Sequence, residues 1–363
     1  MSRKIRVGVI FGGRSAEHEV SLQSARNVIS ALNPERFEVA LIGIDKAGKW
    51  HPYESGHYLD NADDPSRISL PASDTSLALV PGEESHGLID IRECKGLPPV
   101  DVVFPVLHGT YGEDGTIQGL LKMANIPFVG AGVLGSAVGM DKDVTKRLLR
   151  DAGLPIGKFI TVRTADAISY ADAVARVGAP FFVKPANAGS SVGVHKVADE
   201  SQFAERLADA FRFDTKVLIE EFIAGREIEC AVLGNEDPIA SVPGEIIPTH
   251  EWYSYEAKYL DAEGARLSIP AELDEETSGR IRTLAVETFK TLSCEGMARV
   301  DFFLRPNGEA LINEINTIPG FTKISMYPKL WGASGIPYGE LIERLIDLAI
   351  ERHERESKLR TTF

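Results

Sequence analysis

Cysteine is scarce in this sequence. Cys94, Cys230 and Cys294 are the only three in 363 residues, odd in number, widely spaced and without a CxxC pair. That pattern argues against a disulfide framework and against a thiolate zinc site, and the three read as reduced packing residues. Long apolar runs are missing too: the most apolar stretches, VGVIF and VDVVFPVL, are strand-sized and fall short of the ~20 residues a membrane helix needs. No membrane span is expected. The N-terminal MSRKIRVGVIF passes straight into a strand without a small-residue cleavage site, which argues against a signal peptide and for a cytoplasmic location. Positive charge is also in deficit, since 39 Lys and Arg face 53 Asp and Glu, for a formal net charge of −14. A nucleic-acid binder shows the reverse, a basic face that neutralises phosphates. If a small ligand is phosphorylated, a few placed lysines and a divalent metal must supply the local positive charge.

What is present is the composition of a folded multidomain protein. With 44% hydrophobic and 25% charged residues, and a length beyond one ordinary core, two or three domains are expected. The first third alternates strand-like IRVGVIF, a helical stretch near Ser21 to Leu32, FEVALIGI, VDVVFPVL and a helix from Thr116 to Ala124, the order of a parallel α/β domain. Residues Asp45 to Leu97 are rich in Pro, Gly, Ser and Asp and read as including long surface loops. A second α/β block starts near Phe128, with a helix at Asp141 to Ala152 and strands at FFVKP and KVLIEEFI around a Gly/Ser loop. From Glu227 follow strands IECAVL and IASVPGEIIP, a polar aromatic loop, a helix at Glu272 to Leu292, and strands MARVDFFL and EALINEI. Three modules are the economical division, at 1–127, 128–225 and 226–363.

Several stretches carry chemistry. FGGRSAE (Phe11 to Glu17) leaves a strand and opens a helix, where free backbone amides can hold an anion. Alone it reads as a tight turn, but Glu17 lies at the carboxyl end of the sheet, where open α/β sheets bind ligands, and could hold an ammonium group. HGTYGEDG places His108 and three glycines after VDVVFPVL at that same end, so His108 is either structural or part of a site with Glu17. KPANAGSSVG puts Lys184 ahead of a small flexible loop whose amides and hydroxyls suit phosphate oxygens; it is an ordinary hairpin turn or a phosphate loop, and Lys142 upstream favours the second. The lysine precedes the glycines, so the Walker spacing is not matched. EEFI, with Glu220, Phe222 and Ile223, followed by Glu227, offers apolar side chains to sandwich a base and carboxylates to accept bonds from its amino group and the ribose. Exposed strand-end carboxylates are common enough that this stretch alone decides nothing.

The most specific signal is Asp301 in ARVDFF with Glu314 and Asn316 in INEINTIPG. Two carboxylates and an amide oxygen are hard ligands suited to Mg²⁺ that also contacts phosphates. Side chains repeat every two residues along a strand, so Glu314 and Asn316 share one face and Arg299 and Asp301 share another. The alternative is a surface ion-pair ladder, which the apolar setting of LINEI disfavours.

Taken together, FGGRSAEHEVS, HGTYGEDGTIQG, GMDK, KPANAGSSVG, EAKYL, ARVDFF and NEINTIPGFT resemble the ATP-grasp superfamily, and within it the D-alanine–D-alanine ligases, in the family's order and almost end to end. The resemblance implies a three-domain α/β ATP-grasp fold, an N-terminal parallel α/β domain followed by two α+β domains that enclose the nucleotide. It implies adenine and ribose near Glu220, Phe222, Ile223 and Glu227, phosphates on Lys142, Lys184 and Lys258, and two Mg²⁺ or Mn²⁺ ions on Asp301, Glu314 and Asn316. Glu17 would fix the ammonium of the first D-alanine with His108 nearby, linked by hydrogen bonds to Ser190 and Tyr259. Ser325 would receive the carboxylate of the second, and Arg299 with the amide of Gly320 would stabilise an oxyanion. The product would be D-alanyl-D-alanine for peptidoglycan precursors, formed through an acyl phosphate in a cytoplasmic homodimer, with loops Ala188 to Val192 and His250 to Gly264 closing over it.

Other readings fit less. A different ATP-grasp ligase would not need the N-terminal runs, a regulatory nucleotide module would not need an intact ligand set, and a nicotinamide dehydrogenase wants GxGxxG after its first strand, where this chain has FGGRS. Family members that make D-alanyl-D-lactate typically lack the tyrosine of EAKY, so Tyr259 favours the peptide product. Tyr259→Phe is therefore predicted to gain D-lactate use at low pH, measured as depsipeptide formed from D-alanine and D-lactate. No lactate use together with unchanged alanine kinetics contradicts that role.

Overall fold

The computed structural model describes residues 3–82, 87–164, 166–248 and 265–360. The first module is built on β1 (Ile5–Gly12), α1 (His18–Ala31), β2 (Phe37–Ile44), β3 (Trp50–Tyr53) and, further on, β7 (Val102–Val106) and α2 (Thr116–Met123). Strand order is β3-β2-β1-β7, with β1 parallel to both neighbours and β3 antiparallel at the edge. From Val7 onward β1 is buried throughout, as expected of a strand covered on both faces. The turn after β1 must be glycine: Gly12 has φ +90°, and a Cβ there would sit 2.3 Å from the Ile44 carbonyl oxygen. Ser21 of α1 accepts a bond from the Gly12 amide at 2.7 Å and donates to the Val106 carbonyl, which seats the helix on the strand ends.

The Asp45 to Leu97 stretch carries short strands between its turns and loops. It contributes β3 and a small antiparallel sheet of β4 (Leu77–Val80), β5 (Gly87–Asp90) and β6 (Lys95–Gly96). Strands of two to four residues are too short to show a period in the sequence.

The second module opens with α3 (Val133–Met140) and α4 (Lys142–Asp151), and continues with β8 (Phe159–Arg163), α5 (Tyr170–Val177), β9 (Phe181–Pro185), β10 (His195–Val197), α6 (Glu200–Ala210) and β11 (Lys216–Glu221). Its antiparallel sheet runs β10-β9-β11-β8. Phe181, Val183, Val217 and Ile219 face Ala173, Val177 and Phe203 of α5 and α6, so the alternate residues Phe182, Lys184 and Glu220 are left on the opposite face. Side-chain N-caps start the helices: Asp141, Ser169 and Asp199 accept from Val144, Asp172 and Ser201 amides.

The third module holds β12 (Arg226–Gly234), β13 (Ile239–Ala240), β14 (Gly244–Pro248), β15 (Ala265–Ser268), α7 (Glu275–Thr291), β16 (Gly296–Leu304) and β17 (Ala310–Asn316). Its antiparallel sheet runs β15-β14-β12-β16-β17, with β13 beside β12. The run IASVPGEIIP, expected as one strand, is two: Ser241 turns its Oγ and backbone onto Ala231, and Pro243 has no amide to donate, so the ladder breaks between them. α7 starts three residues later than the apolar pattern suggested, because Asp274 caps it through the Thr277 amide. It packs Ile281, Ala285 and Phe289 onto Ile228, Cys230, Val300 and Phe302.

Beyond β17 come α8 (Met326–Ala333) and α9 (Tyr338–Ser357), to which the sequence reading assigned nothing. The apolar positions Leu341, Ile342, Leu345, Ile346 and Ala349 recur at helical spacing and are buried. They join Tyr327, Leu330 and Trp331 in one core with Val7, Val9 and Phe11 of β1, Leu22 of α1, and Leu233 and Met297 of the third sheet. The first and third modules are thus fused through shared apolar packing. Arg352 of α9, buried, donates to the carbonyls of Gly130 at 2.5 Å and Phe128 at 2.7 Å and lies 4.5 Å over the Phe128 ring, tying the helix to the chain that leads into the second module.

Candidate active site

A cavity of about 720 Å³ opens where the three modules meet. Glu17, His108, Lys142, Lys184, Ser190, Glu220, Phe222, Ile223, Glu227, Arg299, Asp301, Glu314, Asn316, Gly320 and Ser325 all line it. Lys258 and Tyr259, like the loop His250 to Gly264, fall outside the described residues. A GxGxxG spacing does occur, at Gly130 to Gly135, but it opens α3 and lines no part of this cavity.

At one end, Glu17 is buried and receives a hydrogen bond from Ser190 Oγ, which joins the first module to the second. Ser190 and Ser191 both adopt left-handed backbone, φ 51° and 60°, a conformation that non-glycine residues hold only when the surroundings impose it. The loop is imposed from both sides, since Lys142 Nζ donates to the Ala188 carbonyl at 2.7 Å and Asn187 donates to Asp214. Gly109 is obligatory here as well: its φ is +73°, and a Cβ would approach Glu17 Oε2 to 2.5 Å.

His108 belongs to this end. Its Nδ1 lies 3.0 Å from the Ile318 carbonyl, which places a proton on Nδ1, and Nε2 lies 3.0 Å from Ser24 Oγ. Burial alone would lower its pKa, but Glu113, 3.8 Å from Nδ1, and Glu17 outweigh burial and hold it above the usual histidine value. The segment carrying Gly320 and Ser325 is anchored to α1 in the same way: Phe321 donates its amide to Ser24 at 3.2 Å and accepts from Asn27 at 3.1 Å. Ser325 Oγ accepts from the Thr322 amide at 2.9 Å, and a Cβ on Gly320 would come within 2.7 Å of that oxygen.

In the middle, three strands line up carboxylates. Glu229 of β12 pairs with Asp301 of β16, which pairs with Glu314 of β17. A register shift between Asp301 and Phe302 inserts Asn313 as an extra residue on β17, a bulge that re-aims the side chains around it. Like charges opposite one another repel across strands, and Arg299 answers the repulsion. It forks onto both oxygens of Asp301 at 2.7 Å and lies 2.9 Å from Glu229, as the shared face of Arg299 and Asp301 requires. Lys142 approaches Glu314 at 3.6 Å, and Asn316 donates to Asp301 at 2.9 Å. Among the described residues no three His, Cys, Asp or Glu side chains converge as a metal cluster. The donors on offer are the carboxylates of Asp301 and Glu314 and the amide oxygen of Asn316, a hard-oxygen set that leaves positions for phosphate and water and so fits Mg²⁺ or Mn²⁺.

At the far end, Glu220 is buried between two lysines, Lys184 at 2.6 Å from Oε2 and Lys146 at 3.5 Å from Oε1. Burial alone would raise its pKa, but Lys146 and Lys184 hold it below the usual carboxylate value. Phe182 and Phe222 stand 6.1 Å apart, and Lys196 Nζ lies 4.3 Å over the Phe222 ring. The sequence reading missed Lys146, Glu229, Glu113 and Phe182. Glu229 was signalled by its spacing of two from Glu227, and Lys146 by its spacing of four from Lys142 on the helix.

Two sheets closing on a cavity with lysines at one wall and paired carboxylates at the other define an ATP-grasp ligase. Family models for the D-ala D-ala ligase N-terminus and C-terminus match residues 6–131 and 148–347. The chain is 58% identical over 362 residues to D-alanine--D-alanine ligase A of Escherichia coli (strain K12), covering 99% of this chain and 100% of that one. The D-alanine-D-alanine ligase structure from Coxiella burnetii superposes with a TM-score of 0.86 at 39% identity, covering 98% and 97% of the two chains. The VanG D-Ala:D-Ser ligase from Enterococcus faecalis superposes at 0.82 and 36% identity, covering 96% and 100%. The chain belongs to the D-alanine–D-alanine ligase family and is an ATP-dependent ligase.

The raised pKa of His108 makes a stability prediction. Its contribution is full below the unfolded histidine pKa of about 6.5 and is lost as pH rises through the higher folded value. The melting-temperature gap between the protein and His108→Gln should therefore narrow from about pH 6.5 upward. A gap that stays constant across that range contradicts the assignment.

Proposed function

We propose that this enzyme joins two D-alanine molecules, using ATP, into D-alanyl-D-alanine, the dipeptide of peptidoglycan precursors. The observation that carries the reading is the joining of Glu17 to Ser190 at one end of a cavity whose other end holds Glu220 between lysines. That spacing separates an ammonium-binding carboxylate from a base-binding one, with Arg299, Asp301 and Glu314 between them.

In this reading Phe222 and Ile223 cover the adenine, Glu220 and Glu227 accept its amino group and the ribose hydroxyls, and Lys142, Lys184 and Lys258 hold the phosphates. Asp301, Glu314 and Asn316 hold two Mg²⁺ or Mn²⁺ ions, which when bound neutralise phosphate charge. Glu17 fixes the ammonium of the first D-alanine, oriented by Ser190, Tyr259 and His108. A carboxylate oxygen of that D-alanine attacks the γ-phosphorus of ATP, and ADP departs, leaving an acyl phosphate. The amine of the second D-alanine, whose carboxylate is received at Ser325, attacks the acyl carbon. Arg299 and the Gly320 amide stabilise the oxyanion that forms there, and phosphate leaves as the nitrogen gives up its proton.

The acyl phosphate hydrolyses if water enters, so the loops Ala188 to Val192 and His250 to Gly264 are assigned as lids. Hydrogen bonding of the first loop across the cavity supports that role. The division at 1–127, 128–225 and 226–363 is part of the same reading, supported by one principal sheet in each. A cytoplasmic homodimer also belongs to it. Among the described residues no helix is long and apolar enough to cross a membrane, and Met123 and Leu134, on the neighbouring helices α2 and α3, are apolar and exposed.

The test is phosphate release from ATP and Mg²⁺ with D-alanine, with L-alanine, and with D-alanine plus D-lactate. Release with D-alanine alone, accompanied by the dipeptide, is expected. Asp301→Asn and Glu314→Gln should each lower turnover by about a hundredfold or more, with little change in melting temperature. Normal turnover in both variants overturns the metal assignment.

A further inference from the structure

Lys146 has no role in the chemistry above, yet among the described residues it is the most deeply buried lysine at the cavity, with a side chain 3% exposed. It stands on α4 four residues after Lys142, so both ammonium groups leave one face of the helix. Lys142 reaches the loop at Ala188 and the Glu314 carboxylate, whereas Lys146 reaches Glu220.

The two oxygens of Glu220 are not equivalent. Oε2 takes a 2.6 Å contact from Lys184. Oε1 faces Lys146 at 3.5 Å, close enough for charge but without a hydrogen bond, and it is a buried oxygen with no hydrogen-bond partner among the described residues. A buried acceptor left in that condition is costly unless a ligand donor completes it. An ionised carboxylate accepts and cannot donate. It therefore matches an exocyclic amino group on a purine and opposes a carbonyl oxygen at the same position.

α4 is itself fixed from below. Asp141 caps the helix, and Lys216 of β11 pairs with Asp141 and, at 3.4 Å, with Asp143, which also accepts from Thr161 at 2.7 Å. Lys146 is thus held by a helix pinned to the same sheet that carries Glu220.

We propose that Lys146 is a positioning residue that fixes the Glu220 carboxylate as an acceptor for the 6-amino group of the purine and thereby sets the preference for 6-amino over 6-oxo nucleotides. The proposal rests on the reading of Glu220 as the base-binding carboxylate. Lys184 is assigned to phosphate in that reading, so Lys146 is the cation dedicated to Glu220 when a nucleotide is bound.

Steady-state kinetics with D-alanine saturating and either ATP or inosine triphosphate test it in the full-length enzyme. Lys146→Met should raise the KM for ATP by about tenfold, with a much smaller change in kcat, and lower the ATP-to-inosine-triphosphate ratio of kcat/KM by a similar factor. Lys146→Arg, which keeps the charge, should recover most of that ratio. Lys146→Gln, polar and neutral, should behave as the Met variant does and serves in its place if the Met variant does not fold. A ratio and a KM within twofold of the parent in a folded neutral variant overturn the proposal. Glu220→Gln separates the two failures. Its amide can donate to a 6-oxo group and should shift preference toward inosine triphosphate. If that shift occurs while the neutral Lys146 variants leave the ratio unmoved, Lys146 is structural and the base reading stands. If neither moves the ratio, the base reading of Glu220 fails, and the proposal fails with it.

Discussion

Three carboxylates in register across β12, β16 and β17 are the constraint around which the site is arranged. Glu229, Asp301 and Glu314 occupy one row of the third sheet, and such a row is unfavourable unless cations interrupt it. Arg299 comes from the same strand as Asp301 and so can fork onto it while touching Glu229. Lys142 comes from α4 and reaches Glu314 from the second module. The charge pattern therefore needs two modules to be satisfied. A cleft that concentrates negative charge at its centre and ammonium groups at its walls is a place where a polyanion and its counter-ions can be exchanged.

The same logic holds at the cavity's two ends. Glu17 belongs to the first module and takes its hydrogen bond from Ser190 of the second, while Glu220 belongs to the second and is clamped by two lysines, one of them from α4. His108 and Ser24 join the first module to the Ile318 to Ser325 segment of the third. The carboxylates at the two ends are thus each held by a group from a different chain segment. The shared core of β1, α1, α8 and α9 packs the first and third modules against each other.

Much of this was legible in the sequence because the informative residues are close together along the chain. A lysine followed by a small-residue loop, a histidine with glycines at a strand end, and carboxylates on consecutive apolar strands each state their chemistry within a short stretch of chain, the longest being Asp301 to Asn316. The parallel order of β1, β2 and β7 followed from apolar runs separated by a helix. What was not legible depends on contacts between distant segments. Glu113 gains meaning only beside His108 and Phe182 only opposite Phe222, and the helical spacing of Lys146 from Lys142 does not show that it meets Glu220. The short strands β3 to β6 carry too few residues for a period, and the break at Ser241 needed the Ala231 contact to be seen. The helices α8 and α9 have readable apolar spacing, but that spacing does not show which core they join.

The central claim is that the first D-alanine is activated as an acyl phosphate in this cleft, and oxygen transfer tests it most directly. D-alanine labelled with ¹⁸O in its carboxylate would be turned over with ATP, and the released phosphate examined by mass spectrometry. The account predicts one labelled oxygen in each phosphate released per dipeptide formed, since the attacking carboxylate oxygen leaves with phosphorus. Dipeptide formation with unlabelled phosphate would contradict it, because the carboxylate oxygen would then never have bonded to phosphorus.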